Sequence, residues 1–102
     1  MKRYMVRLTP EAQNDLVSIY DYIVDVSGSS RVADKYLDRI GKFLSGLSVF
    51  PERGTLRDDV RDGLRIIGFE RNASVAFIIE DESVIVLRIL GKRQEFRQAN
   101  KD

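Results

Sequence analysis

One stretch near the end of the chain constrains the fold more than any other. Residues 84–90 have the sequence VIVLRIL, and a basic cluster follows at Lys92 and Arg93. All seven residues except Arg88 are apolar and most are β-branched, which favours a strand buried on both faces over a helix of the same length. The charge inside this run has two interpretations. Arg88 is either a snorkelling or salt-bridged side chain, or it faces an anion or a partner at one end of a sheet.

Composition narrows the functions that the chain can perform. Its 102 residues predict one domain over residues 1–102 with one core. Seventeen Lys and Arg against 16 Asp and Glu give a net charge of +1, so bulk charge gives no argument for binding nucleic acid or a membrane. The chain has no cysteine and no histidine, which excludes disulfides, thiol catalysis and Ser-His nucleophilic pairs. No leader or membrane-spanning run is evident. We therefore expect a cytoplasmic protein without cofactor or metal.

The first half of the sequence predicts a strand and two helices. Residues 2–8 alternate as a short strand with one apolar side does. Thr9 can cap a helix whose first position suits Pro10, and a turn at residues 27–30 separates this helix from a second one that ends before Pro51. Each helix carries an apolar stripe at spacings of three and four: Ala12, Leu16, Ile19, Tyr20 and Ile23 on the first, and Ala33, Leu37, Ile40, Leu44 and Leu47 on the second.

The second half predicts three strands joined by tight links. Residues 64–69, 74–79 and 83–90 are apolar, β-branched runs separated by short polar segments that are typical of hairpin turns. Residues 55–62 are polar and predict a surface loop. The fold class is therefore α+β with the order β-α-α-β-β-β, a helix hairpin packed on a mainly antiparallel four-stranded sheet.

Both helices carry a second apolar line beside the core stripe. It consists of Val17, Tyr20 and Val24 on the first helix and of Val32, Tyr36 and Phe43 on the second. The apolar arc is wider than one packing face needs. Either these side chains reach the sheet or each other, or they form a groove for an apolar partner segment.

The element order and several short motifs resemble the toxins of the RelE/ParE superfamily. The motifs are LTPEA at residues 8–12, DL at 15–16, IYDYI at 19–23, FP at 50–51, GLR at 63–65 and VIVLRILGKR at 84–93, with Leu47 and Gly54 between them. Each motif is short, but together they cover nearly the whole chain in the order and spacing of that superfamily. The resemblance implies its fold and a role in a type II toxin–antitoxin system.

Two branches of that superfamily act differently. RelE-like members cleave messenger RNA on the ribosome, whereas ParE-like members poison DNA gyrase by binding it. Metal-free RNA cleavage needs groups that deprotonate the 2′-hydroxyl, stabilise the phosphorane and protonate the leaving oxygen, and arginine serves only the middle role. The chain has no histidine, no tyrosine after Tyr36, and Gly91 where the superfamily often has histidine or another polar residue. The resemblance therefore favours the ParE-like branch, without catalytic residues.

The candidate target contacts are all cationic. Arg65 and Arg88 match arginines of both branches; each could pair with a carboxylate such as Glu70, Glu80 or Glu82, or stay unpaired and form an anion pocket. Downstream, the cluster of Lys92, Arg93 and Arg97 is either a solvated tail or a contact with gyrase or its DNA.

Two other functions stay open. A RelE-type endonuclease would use Arg65, Arg88, Lys92 and Glu95 as its polar set. A degenerate, non-toxic member would survive as a binding module.

The resemblance also implies a partner for the second apolar line. A ParD-like antitoxin would bury it with a segment that folds as it binds, and operator DNA would be contacted only through the antitoxin. The candidate antitoxin contacts are Val17, Tyr20, Val24, Val32, Tyr36 and Phe43. We expect charged substitutions at Val17, Tyr36 or Phe43 to weaken the complex and leave the fold intact.

Overall fold

The computed structural model describes residues 2–91, which form a helix hairpin packed on a five-stranded sheet. The elements are β1 (Met5–Leu8), α1 (Pro10–Ser27), α2 (Ser30–Ser45), a 3₁₀ turn (Gly46–Ser48), β2 (Thr55–Leu56), β3 (Arg65–Phe69), β4 (Ala73–Glu80) and β5 (Ser83–Gly91). The predicted α+β class and the order of its main elements are confirmed.

The strands lie in the order β1-β5-β4-β3-β2. Within residues 2–91, only β1 and β5 pair in parallel, and the other three pairs are antiparallel, as the prediction of a mainly antiparallel sheet requires. The strand count differs from the predicted four. Two residues of the predicted surface loop, Thr55 and Leu56, pair with Ile66 and Arg65 and form β2. A strand of two residues is too short to leave an alternating pattern.

The helix ends follow from local chemistry. The Thr9 hydroxyl oxygen accepts the Ala12 backbone N–H at 3.1 Å and caps α1, and Pro10 occupies the first helical position. The helix ends at Gly28, whose φ of 71° suits glycine and whose N–H donates to the Val24 carbonyl. One residue later Ser29 caps α2. Strong stop and start signals this close together force the hairpin.

The main core lies between the helix hairpin and one face of the sheet. Its buried members come from α1, α2, the 3₁₀ turn and three strands, and the largest of them are fully enclosed: Phe77, Ile40, Leu47, Ile89, Val75, Val84 and Val86. A second, smaller cluster centres on Leu64, which directly precedes β3, and on Ala76 and Ile78 of β4, against which Ile85 and Leu87 pack. The run at residues 84–90 thus contributes to both clusters, as predicted.

A β-bulge decides where Arg88 lies. Phe77 of β4 pairs with Val86, but the residue before Phe77 pairs with Arg88, so Leu87 is an extra residue in β5. In a regular strand Arg88 would follow Val86 into the core, because alternate residues share a face. The bulge instead gives the buried position to Ile89, and the Arg88 side chain is 44% exposed.

Candidate functional site

A groove of about 1140 Å³ lies between α1 and α2. The end of β5 and the turn between β3 and β4 also contribute to its walls. Six large apolar or aromatic side chains line it: Ile19, Tyr22, Ile23, Val32, Tyr36 and Ile89. Tyr22 and Val32 remain 61% and 48% exposed, so the groove presents apolar surface at a cleft large enough for a peptide segment.

Asp15 of α1 organises the wall that β5 contributes. Its two carboxylate oxygens accept hydrogen bonds from Nε and Nη2 of Arg88 at 2.8 and 2.9 Å, and one of them also accepts the Ile89 backbone N–H at 2.8 Å. The Thr9 hydroxyl donates to the Leu87 carbonyl at 2.8 Å. These contacts provide hydrogen-bond partners for the backbone groups of Leu87 and Ile89, on the part of the β5 edge that extends beyond the end of β1. The hydrogen bonds to Asp15 raise the pKa of the Arg88 guanidinium, which is held as part of the scaffold.

Two polar links join α2 to the turn between β3 and β4. Arg39 donates to both carboxylate oxygens of Glu70, at 2.6 and 3.0 Å, and the Tyr36 hydroxyl donates to Oδ1 of Asn72 at 3.2 Å. The hydrogen bonds from Arg39 lower the pKa of Glu70. Burial, followed by the charge of Glu70, raises the pKa of the Tyr36 hydroxyl. Glu70 and Arg71 both have positive φ, 51° and 63°, so the links hold a turn that side-chain-bearing residues adopt only at a cost.

The predicted antitoxin contacts divide into two groups. Val32 and Tyr36 line the groove. Val17, Tyr20 and Val24 lie three and four residues apart on a different stripe of α1, where Val17 is 59% exposed. Burial and the neighbouring carboxylate of Asp34 in α2 raise the pKa of Tyr20, which places Tyr20 against the second helix.

Phe43 and Tyr36 both pack on Phe69 of β3. Their ring centroids lie 5.0 and 5.6 Å from that of Phe69, and the Arg53 guanidinium lies over Phe43 at 5.8 Å. Tyr36 is only 6% exposed and belongs to the main core. This burial argues against the expectation that a charge at Tyr36 leaves the fold intact, because the charge would have to enter that core.

Of the candidate target contacts, the described residues include Arg65 and Arg88, which lie on different strands. Arg65 in β3 and Arg88 in β5 flank β4 on opposite sides, so their backbones are about 10 Å apart. Arg88 pairs with Asp15 and not with Glu70, Glu80 or Glu82, which corrects the expected set of partners. Within residues 2–91, Arg65 makes no ion pair or side-chain hydrogen bond. The predicted contacts Lys92, Arg93 and Arg97, and also Glu95, lie outside the described residues.

Asp15 and Tyr22 are site residues that the sequence analysis did not assign. Asp15 lies next to the core residue Leu16 in a motif that indicated only the superfamily, and its partner Arg88 is 73 positions away. Tyr22 is adjacent to the core residue Ile23, and its exposure becomes evident only when the helices are placed. The part of the chain from residue 2 to 91 contains no group of three or more potential metal ligands and no helix long and apolar enough to cross a membrane.

Comparison with known proteins gives concordant matches. The model of a family described as the ParE toxin of the type II toxin–antitoxin system parDE matches residues 6–96. The chain is 33% identical over 89 residues to toxin ParE3 of Caulobacter vibrioides, covering 87% of this chain and 86% of that protein.

Two solved structures of toxin–antitoxin systems have a similar fold. The chromosomal ParDE system from P. aeruginosa matches with a TM-score of 0.74 and 27% identity, covering 85% of this chain and 94% of the matched chain. The RelBE2 complex from Mycobacterium tuberculosis matches with a TM-score of 0.61 and 25% identity over 92% and 97% of the two chains.

Proposed function

The chain belongs to the ParE family of type II toxin–antitoxin toxins, and from this premise we propose that it inhibits DNA gyrase by binding and is neutralised by a ParD-like antitoxin. It would do so in the cytoplasm as a single domain without cofactor or catalytic residues. Operator DNA would be reached only through the antitoxin.

The ion pair between Arg88 and Asp15 is the observation that favours gyrase inhibition over RNA cleavage. A nuclease needs a cation oriented toward a phosphorane, whereas Arg88 donates from Nε and Nη2 to Asp15, which uses two of its five N–H groups and fixes the direction of its guanidinium. The same Asp15 carboxylate also accepts the Ile89 backbone N–H, so the pair is tied to β5. This geometry suits a scaffold arginine in a protein that acts by contact, and the complete absence of histidine from the sequence agrees.

The contact with gyrase is assigned to the cations that the scaffold does not use. Arg65 is half-buried at the start of β3 and available, and Lys92, Arg93 and Arg97 follow β5 in sequence. Arg88 would contribute indirectly, because its ion pair with Asp15 holds the end of β5, which precedes Lys92 and Arg93 in sequence. A few cations give only a modest, salt-sensitive attraction, so neighbouring protein surface supplies most of the affinity.

Two observations support an antitoxin partner. The groove between α1 and α2 exposes apolar side chains in a cleft, which is the surface that a folding peptide segment buries. Two similar solved structures are of toxin–antitoxin systems. The antitoxin would fill the groove at Val32 and extend over the α1 stripe of Val17, Tyr20 and Val24, with Tyr36 and Phe43 supporting the groove from below.

A supercoiling assay with purified gyrase tests the target. We expect molar excess of the toxin to reduce supercoiling and to accumulate cleaved gyrase–DNA complexes. Arg65→Glu should weaken inhibition at least about fivefold, because a charge reversal at a contact creates repulsion. The control is Arg31→Glu, which makes the same charge reversal at an exposed position of α2. This variant should inhibit gyrase as strongly as the unaltered protein does. Gyrase that is unaffected by excess toxin would exclude this target.

The second candidate is ribosome-dependent cleavage of messenger RNA. The guanidinium of Arg65 favours it, because it makes no ion pair with the residues from 2 to 91 and such a group can bind a phosphate. New cleavage ends in primer extension of translated messages, together with unaffected gyrase, would establish this activity instead. Normal growth on expression without antitoxin would indicate a non-toxic binding module.

A further inference from the structure

The groove contains one charge that the described protein does not neutralise. Its formally charged lining residues are Asp15, Lys35 and Arg39. Asp15 pairs with Arg88, and Arg39 pairs with Glu70. The Lys35 side chain makes no hydrogen bond or ion pair within residues 2–91. An ammonium group without a counter-ion is therefore part of an otherwise mainly apolar cleft.

The walls of the groove favour a helical occupant over an extended one. An added strand needs free backbone groups on a sheet edge, but at the β5 edge the Leu87 carbonyl is bonded to Thr9 and the Ile89 N–H to Asp15. A volume of about 1140 Å³ also exceeds the roughly 300–1,000 Å³ of small-ligand pockets. An amphipathic helix, which binds through side chains alone, fits these walls.

We propose that Lys35 is a specificity determinant of the groove, selecting an amphipathic helix of the antitoxin that carries an acidic side chain among its apolar contacts. The inference rests on the proposed toxin–antitoxin function and adds the chemistry of the partner. A helix without that acid would bury the ammonium group of Lys35 unpaired, which disfavours binding. The apolar contacts supply affinity, and Lys35 discriminates between helices of similar apolar pattern.

Charge substitution in the toxin tests this role. The probe is the purified product of the reading frame adjacent to the toxin gene, with dissociation constants measured at low and high salt. Lys35→Glu should weaken binding at least about tenfold, because it sets two like charges together. Lys35→Met keeps most of the aliphatic stem and should weaken binding less, while reducing its salt dependence. Arg61→Glu is the matched control: it lies in the loop before β3, at the end of that strand away from the groove.

Each outcome decides the proposal. Loss of affinity in Lys35→Glu, no change in Arg61→Glu, and recovery when one acidic residue of the probe is changed to lysine would establish it. Equal affinity of Lys35→Glu and Arg61→Glu would overturn it while leaving the antitoxin partner intact. If the unaltered toxin does not bind the probe at all, the proposed partner itself is refuted, and the role of Lys35 with it. Unchanged circular dichroism of the variants excludes misfolding, since Lys35 is exposed.

Discussion

Asp15 has an unusual position because one carboxylate satisfies both a long-range side chain and a strand amide. Its side chain is 12% exposed, whereas that of Arg88 is 44% exposed. Water screens the exposed guanidinium, so the ion pair alone contributes little. Ile89 is 1% exposed, and its N–H is bonded to Asp15. The main contribution of Asp15 to stability is therefore the acceptor that it provides to β5.

Removing that acceptor should lower the free energy of unfolding. We expect Asp15→Ala to cost about 2 kcal/mol, because a buried amide loses its partner. Asp15→Asn keeps one oxygen for Ile89 and should cost about half as much. Asp25→Ala, at an exposed position of the same helix, is the control and should be neutral. Urea denaturation measures all three, and equal midpoints for Asp15→Ala and the unaltered protein would contradict this account.

At the residue scale, the sequence indicated which residues are charged and apolar but not which residues meet. For Arg88 the sequence left two alternatives open, a pair with a carboxylate such as Glu70, Glu80 or Glu82, or an unpaired anion pocket. It pairs, but with Asp15, 73 positions earlier. Pairing at that separation leaves no periodic signal. Tyr36 likewise belonged to a stripe whose burial depended on where Phe69 would lie.

At the scale of elements, prediction succeeded where the signals are local. The predicted start of α1 at Thr9 and Pro10 and the predicted turn at residues 27–30 agree with the structure. The three longer strands lie close to their predicted bounds. Prediction failed where pairing with a neighbouring strand determines the local structure. The bulge at Leu87 changes the phase of β5 because β4 pairs unevenly with it, and β2 exists only through its pairing with β3.

A comparison of two glycines in the segment before β3 distinguishes the cost of backbone strain from the cost of a steric clash. Gly54 and Gly63 have φ of 79° and 74°. Of these two, only Gly54 has backbone so close to β3 that an added Cβ would lie 2.5 Å from the Ile66 carbonyl oxygen. Gly63→Ala should cost about 1 kcal/mol from the left-handed conformation. Gly54→Ala should cost about 3 kcal/mol, because β3 must also move. Denaturant midpoints compare them, and equal losses would show that the close approach is relieved without cost.

At the scale of the molecule, β5 connects the two proposed surfaces. It is held by β1 on one side and β4 on the other, it forms part of the groove at Ile89, and the cationic segment follows it in sequence. The groove lies at the turn between β3 and β4, whereas Arg65 lies at the start of β3, roughly 14 Å along that strand. An antitoxin in the groove and gyrase at Arg65 would then contact different parts of the toxin, whereas Lys92 directly follows Gly91 of the groove wall in sequence.

This separation predicts a toxin that escapes its antitoxin. Val32 lines the groove and is 48% exposed, so Val32→Glu should fold normally while placing a charge among apolar contacts. We expect its affinity for the antitoxin to fall at least about tenfold, with gyrase inhibition unchanged. Val60→Glu, at a 42% exposed valine in the loop before β3, is the control and should remain neutralised. The measurement is gyrase supercoiling with each variant at increasing antitoxin. Loss of gyrase inhibition by Val32→Glu would mean that the two surfaces overlap, since the substitution would then have removed a target contact from the groove itself.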